Sequence, residues 1–276
     1  MSFNTSVTPN YSQGRFSAEQ EIVDAYPTVD YKNNFSEVGG INIISDGTKA
    51  VVDDSDNSTM VVGSTGSKKT RNVVMPYVYS CALAGYSMFI HDPKGDINKN
   101  IYKTLKRLGY KVVVLDYRDP EYGARYNPLQ KVAKLYKEGN VNRAKEMIKH
   151  FSNIICSAAK SEKDPFWSQT SEAYCAGLIS MLCDLFPVND VTIDNIYNLH
   201  IQGDTKYGAS NYMKCYFEDK EEKNYWKLIY PVVTAPNETR SSLHSVFSSC
   251  LNSFVQNEAI IDQTSNSTFC VEDLIK

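Results

Sequence analysis

Three short apolar runs alternate with two helical stretches, and this alternation is the feature that most constrains the fold. The runs lie at 59–62, 87–90 and 110–115, and the helical stretches lie at about 70–84 and 97–108. Buried apolar runs separated by crossover helices are typical of a parallel sheet with helices packed against it. The sequence therefore predicts an α/β core with a parallel sheet.

The rest of the chain divides by pattern. Residues 1 to about 38 are polar and show no periodicity. This stretch is predicted to be an arm that is ordered, if at all, by contact with another part of the protein or with a partner. A hairpin is expected around Ser45-Asp46-Gly47, and Thr192 is expected to be a helix N-cap. A weak strand is expected near 269–271. Helical periodicity predicts helices at about 129–138, 141–160, 166–185, 192–200, 209–216, 220–230 and 234–255. The predicted domains are a polar N-terminal arm at 1–38, the first part of a nucleotide-binding core at 39–127, an all-helical domain at 128–235 and a return to that core at 236–276.

Composition excludes several classes of protein. The formal net charge of −3 provides no global basic field for nucleic acid, so any DNA contact must be local. The lysine-rich stretches at 99–111 and 131–149 are interpreted as ordinary solvated helix faces. The seven cysteines form no C-x-x-C pair and the four histidines show no metal-binding spacing, which argues against a zinc site. Neither a signal peptide nor a membrane-spanning run is found, so a soluble intracellular chain is expected.

A glycine-rich loop follows the first apolar run and precedes a helix. It fits the pattern G-x-x-x-x-G-K-[ST], except that Lys68 replaces the second glycine. Such loops wrap phosphates with backbone N–H groups at a helix N-terminus; Lys69 would reach the β- and γ-phosphates, and Thr70 would ligate Mg²⁺. The alternative is a Gly/Ser turn with two surface lysines. The candidate nucleotide-binding residues are Gly63, Ser64, Thr65, Gly66, Ser67, Lys68, Lys69 and Thr70.

Two carboxylates follow the second apolar run. Ligands of open α/β sheets bind beyond the carboxyl ends of the strands, so Asp92 is a candidate metal ligand together with Thr70, and Asp96 is a weaker candidate. The alternative is structural: Asp92 caps a turn and Asp96 is the N-cap of a helix that starts near Ile97. The residues alone do not choose between these interpretations.

Several motifs occur in a specific order. They are VVGSTGSKKTRNVVMPYV, SMFIHDPKGD, LGYKVVVLDYRDP, RYNPL, the tetrapeptide Asp164-Pro165-Phe166-Trp167, the stretch Thr239-Arg240-Ser241-Ser242-Leu243 and the final SNSTFCVEDL. In this order the chain, over about 40–276, resembles the TraG/TraD conjugative coupling proteins, within the wider FtsK/HerA group of hexameric DNA pumps. The resemblance implies a RecA-like P-loop core with an inserted all-helical domain.

The resemblance also implies a function. Such proteins are membrane-associated ATPases of type IV secretion that use ATP and Mg²⁺ to move single-stranded DNA, as homo-hexamers that work with a relaxase and secretion-channel components. A cytoplasmic location at the inner face of the membrane, through partners or further segments, is then expected. Two features depart from the family: no hydrophobic strand ending in Asp-Glu follows residue 270, and no N-terminal membrane helices are present. With Lys68, these departures leave a second interpretation open, a nucleotide-binding but non-hydrolysing interaction module.

Overall fold

The computed structural model describes residues 17–159, 165–218 and 223–274. Its contacts divide the chain into two compact units. Unit 1 consists of Met1–Val112 with Leu274–Lys276, and unit 2 consists of Val113–Asp273. The described chain is mixed α/β and mostly helical, with small antiparallel sheets. No helix in the described part of the chain is both long enough and apolar enough to cross a membrane.

Unit 1 contains a three-stranded antiparallel sheet in the order β1-β3-β2. The expected hairpin is confirmed, because β2 and β3 pair across a turn at Asp46. The Asp46 carboxylate accepts hydrogen bonds from the backbone N–H groups of Thr48 and Lys49, both at 2.7 Å, and these bonds lower its pKa to about 2. The elements of unit 1 are α1 (Glu19–Ala25), β1 (Thr28–Asp30), β2 (Ile41–Ser45), β3 (Lys49–Asp53), a π-helical turn (Thr70–Val74), α2 (Met75–Leu83) and α3 (Asp96–Arg107). Of a 3-10 turn at Val271–Leu274, only the last residue belongs to unit 1.

Part of the predicted polar arm belongs to this sheet. Strand β1 pairs with β3 in the register Val29 to Ala50, and Val29 is fully buried. The backbone of β1 forms hydrogen bonds with β3, which also pairs with β2. The polar composition of this stretch does not indicate that it pairs in a sheet. The rest of the arm, residues 1–16, lies outside the described residues.

Helix α2 packs closely against the sheet because two glycines and a serine allow it. A Cβ atom on Gly39 would lie 2.8 Å from the Cα of Cys81, and one on Gly40 would lie 2.1 Å from the carbonyl oxygen of Asp53. The buried Ser80 hydroxyl donates to the carbonyl of Gly40 and accepts from its N–H group at 3.2 Å. The two glycines are therefore required by close contact.

The described structure does not show the parallel sheet, so the RecA-like part of the fold prediction stays a prediction. The runs at 59–62, 87–90 and 110–115 contain no residues in strands. A strand of a parallel sheet needs a ladder partner and cover on both faces. In these runs large apolar side chains face solvent instead: Met60, Val62 and Phe89 are 87%, 81% and 96% exposed. An apolar run indicates that a segment can be buried, but it does not show that a neighbouring strand is available to pair with it.

Unit 2 is a bundle of helices with one two-stranded hairpin. The helices expected at about 129–138, 141–160, 166–185, 192–200, 209–216 and 234–255 are confirmed with shifts of a few residues, apart from residue 160, which lies outside the described residues. The helix expected at 220–230 is observed only from Trp226, and residues 220–222 of that prediction also lie outside the described residues. Helix α11 was not predicted, and the segment near 269–271 leads into a 3-10 turn instead of a strand. The domain boundaries expected at 128 and 235 stay predictions. The elements of unit 2 are α4 (Gln130–Lys137), α5 (Val141–Ile155), α6 (Phe166–Leu185), α7 (Ile193–Asp204), β4 (Lys206–Tyr207), β5 (Ser210–Asn211), α8 (Tyr212–Glu218), α9 (Trp226–Val233), α10 (Asn237–Val255) and α11 (Glu258–Ser265), with 3-10 turns at Pro120–Tyr122, Cys156–Ala159 and Val188–Asp190.

Helix α6 forms the centre of unit 2. It contacts α4, α5, α7, α9 and α10, and its Tyr174, Leu178 and Ile179 side chains are among the largest that are fully buried. Gly177 permits the contact with α9, since a Cβ atom there would lie 2.7 Å from Cγ1 of Ile229. A helix that is apolar around most of its circumference is expected at such a position.

Polar caps fix the ends of two helices in unit 2. Thr192 caps α7 as predicted, with its hydroxyl accepting from the N–H group of Asn195 at 3.1 Å. Asn127, which is 1% exposed, accepts from the N–H group of Leu129 at 2.9 Å and donates to the carbonyl of Val191 at 3.0 Å. The Asn127 side chain therefore joins the start of α4 to the segment that leads into α7.

Candidate phosphate-binding loop

The 63–70 loop joins an extended segment to the helical stretch made of the π-helical turn and α2. The turn begins at Thr70, where the N–H group of Asn72 donates to the carbonyl of Lys68 at 2.8 Å. Helix N-termini carry unpaired N–H groups and a partial positive charge, which favour an anion. The loop therefore lies where a phosphate group would be stabilised.

The Lys69 side chain folds back across the loop. Its ammonium donates to the carbonyl oxygens of Gly63 at 2.5 Å and Ser64 at 2.9 Å, and it lies 3.4 Å from the hydroxyl oxygen of Ser67. These contacts hold a positive charge against the loop backbone, and the side chain is only partly exposed. A fixed ammonium inside a loop of backbone N–H groups can bind the oxygens of a phosphate.

The loop closes because residues at two positions lack a side chain. A Cβ atom on Gly63 would lie 2.7 Å from the Ser67 hydroxyl oxygen, so a side chain there would displace that hydroxyl, and 3.4 Å from Cγ and Cδ of Lys69, which is an ordinary contact. Gly66 has a φ of +83°, a left-handed conformation that glycine adopts without steric cost. The turn between them is closed by the N–H group of Ser67, which donates to the Ser64 carbonyl at 3.2 Å.

Lys68, which replaces the second glycine of the motif, has a left-handed backbone conformation. Its φ is +60°, and it is the only residue other than glycine with a positive φ in the part of the chain that the structure describes. The left-handed region costs an L-residue roughly 1–2 kcal/mol. Lys68 therefore gives the loop a strained position and an added cation where the motif has glycine.

Asp92 and Asp96 lie at the N-terminus of α3. The Asp92 carboxylate accepts from the N–H group of Asn98 through Oδ2 at 2.9 Å, and its carbonyl accepts from the N–H group of Gly95 at 3.1 Å. Asp96 is exposed and is the first residue of α3, with Gly95 as the N-cap at a φ of +73°. Asp92 is thus a capping residue, and Asp96 lies one position beyond the N-cap position expected for it.

The structure groups the predicted site residues into two sets. Lys69 contacts the first set directly, namely Gly63, Ser64 and Ser67, while Thr70 is exposed at the start of the helical stretch. Asp92 and Asp96 form the second set at α3. Among the described residues, no hydrogen bond or ion pair joins the second set to the 63–70 loop. The strand expected to carry Asp92 to the loop is absent from the described structure.

Sequence reasoning missed a buried polar cluster in unit 2. The rings of His200 and His244 stack with centroids 4.6 Å apart, and Nδ1 of His244 lies 3.8 Å from the Asp204 carboxylate, which also pairs with Nε of Arg240 at 3.4 Å. Nε2 of His200 lies 3.0 Å from the Ser248 hydroxyl. Burial lowers the pKa of His200 to about 3, so its ring is neutral at pH 7.

This polar cluster includes a residue of one of the motifs that carry the family resemblance. Arg240 belongs to the Thr239–Leu243 motif, and His244 lies four residues later on the same face of α10. Burial also lowers the pKa of His244, an effect that the Asp204 carboxylate opposes and Arg240 reinforces. Within the described residues, no group of histidine, cysteine and acidic side chains has the arrangement of a metal site.

The comparisons with known proteins give one match. Residues 14–276 match the family model described as Type IV secretory system Conjugative DNA transfer. No curated protein and no solved structure matches the chain. The family model covers nearly the whole length and includes both the 63–70 loop and the cluster around Arg240. The chain therefore belongs to the conjugative DNA transfer family of the type IV secretory system.

Proposed function

We propose that the chain is the P-loop nucleotide-binding part of a TraG/TraD-type coupling ATPase, which drives single-stranded DNA toward a secretion channel. The observation that carries the proposal is the Lys69 ammonium, held across the 63–70 loop by the carbonyls of Gly63 and Ser64 beside a helix N-terminus. Membership of a conjugative DNA transfer family supports the choice of DNA as the transported substrate.

The proposal assigns the nucleotide to residues of the 63–70 loop and the metal ion to Thr70 and Asp92. Lys69 and the loop N–H groups would hold the β- and γ-phosphates, and the exposed Thr70 hydroxyl would face a bound Mg²⁺. Asp92 is the carboxylate proposed to act on the same ion, in addition to its capping hydrogen bond. When bound, Mg²⁺ would neutralise charge on the phosphates, and the protein would supply position and electrostatic stabilisation.

The proposal extends to the assembly. A homo-hexameric ring with a RecA-like core in each subunit, contacts with a relaxase and with channel components, and a position at the inner face of the membrane all follow from the coupling-protein assignment. The family match supports these statements only as far as conjugative DNA transfer.

A second candidate function is a nucleotide-binding module that does not hydrolyse ATP. Lys68, at a φ of +60°, favours it, because a side chain and a charge stand where glycine would let the backbone approach the phosphates closely. An added cation strengthens attraction to the nucleotide in its ground state, and binding of that kind does not lower the barrier to hydrolysis.

Steady-state turnover of ATP, measured with and without single-stranded DNA, separates the two candidates. For the 276-residue chain alone we expect nucleotide binding with negligible turnover. Lys69→Ala should weaken binding, while Lys145→Ala, which removes an exposed lysine from α5, should not. DNA-stimulated turnover that Lys69→Ala abolishes would instead show that this chain already contains the complete hydrolytic apparatus.

A further inference from the structure

Helix α3 presents a row of positive side chains to solvent. Lys99, Lys103 and Lys106 are exposed and are separated by four and three residues, so they lie along one face of the helix. Arg107 is exposed beside them in the last turn. The basic face of α3 is defined here as these four residues together with Tyr102.

The opposite face of α3 is fixed in the core of unit 1. Ile97, Ile101 and Leu105 are each at most 7% exposed and pack in one cluster with Val78 and Ala82 of α2. The helix cannot rotate to bury its cations without exposing this apolar stripe. The basic face is therefore held toward solvent by the packing of unit 1.

The cations of this region form no ion pair with any acidic side chain that the structure describes. Residues 94–111 contain six lysine or arginine side chains and a single carboxylate, Asp96, in a chain whose net charge is −3. No ion pair in the described part of the chain includes any of the six. Like charges spaced three and four residues apart on a helix repel one another, so an anionic partner would stabilise this face.

An aromatic side chain lies within the row. Tyr102 is 37% exposed, and the Lys106 ammonium lies 5.9 Å from the centroid of its ring. Lysines that contact phosphates, combined with an aromatic ring available for stacking, form the usual binding surface for single-stranded nucleic acid. A helix that binds membranes needs an exposed apolar face, and the apolar face of α3 is buried.

We propose that the basic face of α3 binds single-stranded DNA, with Lys99, Lys103, Lys106 and Arg107 on the phosphates and Tyr102 stacked on a base. The choice of DNA as the polyanion rests on the proposed function, whereas the surface itself rests on charge, exposure and packing. The interpretation of residues 99–111 as an ordinary solvated face is the alternative that the experiments below test against this proposal.

The first experiment measures binding of a fluorescein-labelled oligo-dT by anisotropy over a range of salt concentrations. The variant Lys99→Gln/Lys103→Gln/Lys106→Gln keeps good helix formers and removes three charges. Each phosphate contact on a single strand contributes about 0.7 to the slope of log K against log salt. The slope should therefore become shallower by about 2, with weaker binding at low salt.

The matched control is Lys134→Gln/Lys145→Gln/Lys149→Gln, which removes three exposed charges from unit 2. It should keep the wild-type slope. Equal losses in both triple variants would mean that DNA responds only to net charge, and no loss in the α3 variant would mean that α3 does not contact DNA; either result overturns the proposal. Circular dichroism of each variant confirms that α3 is folded.

A second pair of variants tests stacking. Tyr102→Ala should lower the affinity for oligo-dT about tenfold without changing the salt slope, and Tyr102→Phe should bind as wild type does. An equal loss in both would contradict stacking. Binding of anionic phospholipid vesicles that the α3 triple variant abolishes, without binding of oligo-dT, would assign the face to a membrane instead.

Binding of ATP, measured on the same preparations, separates this inference from the proposed function. ATP binding without α3-dependent DNA binding would overturn the inference alone. Binding of DNA that depends on α3, in a chain that binds no ATP, would overturn the nucleotide proposal and leave the basic face of α3 standing.

Discussion

The two roles of Asp92 can be separated by two substitutions. Its carboxylate caps α3 through the 2.9 Å hydrogen bond from the N–H group of Asn98, and it is also the proposed partner of Thr70 at Mg²⁺. Asp92→Asn keeps a side-chain oxygen that can accept the same hydrogen bond but removes the negative charge. Asp92→Ala removes both.

The expected magnitudes differ between the two measurements. Loss of a capping side chain costs about 1 kcal/mol, which corresponds to a melting temperature lower by about 2–4 °C for a chain of this size. Asp92→Ala should show this shift, and Asp92→Asn should melt within about 1 °C of wild type. Both should lose roughly tenfold in the affinity of ATP measured with Mg²⁺. Affinity measured in excess EDTA should be unchanged in both.

Thermal melting and fluorescent-nucleotide titration provide the two measurements. If Asp92→Asn keeps the wild-type ratio of affinities with Mg²⁺ and with EDTA, Asp92 is only a helix cap and leaves the proposed metal site. If Asp92→Ala melts as wild type does, the hydrogen bond to Asn98 contributes nothing measurable and the structural role fails.

Three further predictions concern stability. Lys68→Gly should raise the free energy of unfolding by no more than about 1 kcal/mol, because glycine adopts the left-handed conformation without strain but is also more flexible in the unfolded chain. A lower urea midpoint would contradict this gain in stability. The same substitution should not start ATP turnover. The pKa of His200 is about 3 in the folded chain and about 6.5 in the unfolded chain, so below pH 6.5 the unfolded chain binds a proton that the folded chain does not. The free energy of unfolding should therefore be about 2 kcal/mol lower at pH 5 than at neutral pH because of this residue. His200→Gln should remove that part of the pH dependence, and an unchanged dependence of the urea midpoint on pH would refute the prediction. Asn127→Ala should cost about 2–3 kcal/mol, because it leaves the N–H group of Leu129 and the carbonyl of Val191 without their partner; a loss below about 0.5 kcal/mol in the same assay would show that other groups replace it.

Local patterns in the sequence predicted local structure well. The spacing of Ile101, Leu105 and Leu108 placed α3 within one residue of its observed bounds, and Thr192 was identified as a helix N-cap. The β2–β3 hairpin followed from turn residues between two strand-like runs. Each of these features is set by residues within a few positions of one another.

Features that depend on distant residues were not predictable. Strand β3 pairs with β1, although β1 lies in a polar stretch. The apolar run at 87–90 forms no strand in the described structure. The stacking of His200 on His244 depends on how α7 and α10 pack, and neither residue has a neighbour in sequence that indicates it. The motif identified the candidate residues of the 63–70 loop. It did not predict that the Lys69 ammonium donates hydrogen bonds to the carbonyls of Gly63 and Ser64 in the same loop.

The central claim is that the 63–70 loop binds a nucleotide through Lys69, and calorimetric titration of ATP with Mg²⁺ tests it most directly. Charge-assisted hydrogen bonds contribute about 1.5–3 kcal/mol each. We therefore expect the wild type and the Lys145→Ala control to bind ATP with the same affinity, and Lys69→Ala to bind it at least about tenfold more weakly. Equal affinities in wild type and Lys69→Ala, or no heat of binding in wild type, would contradict it.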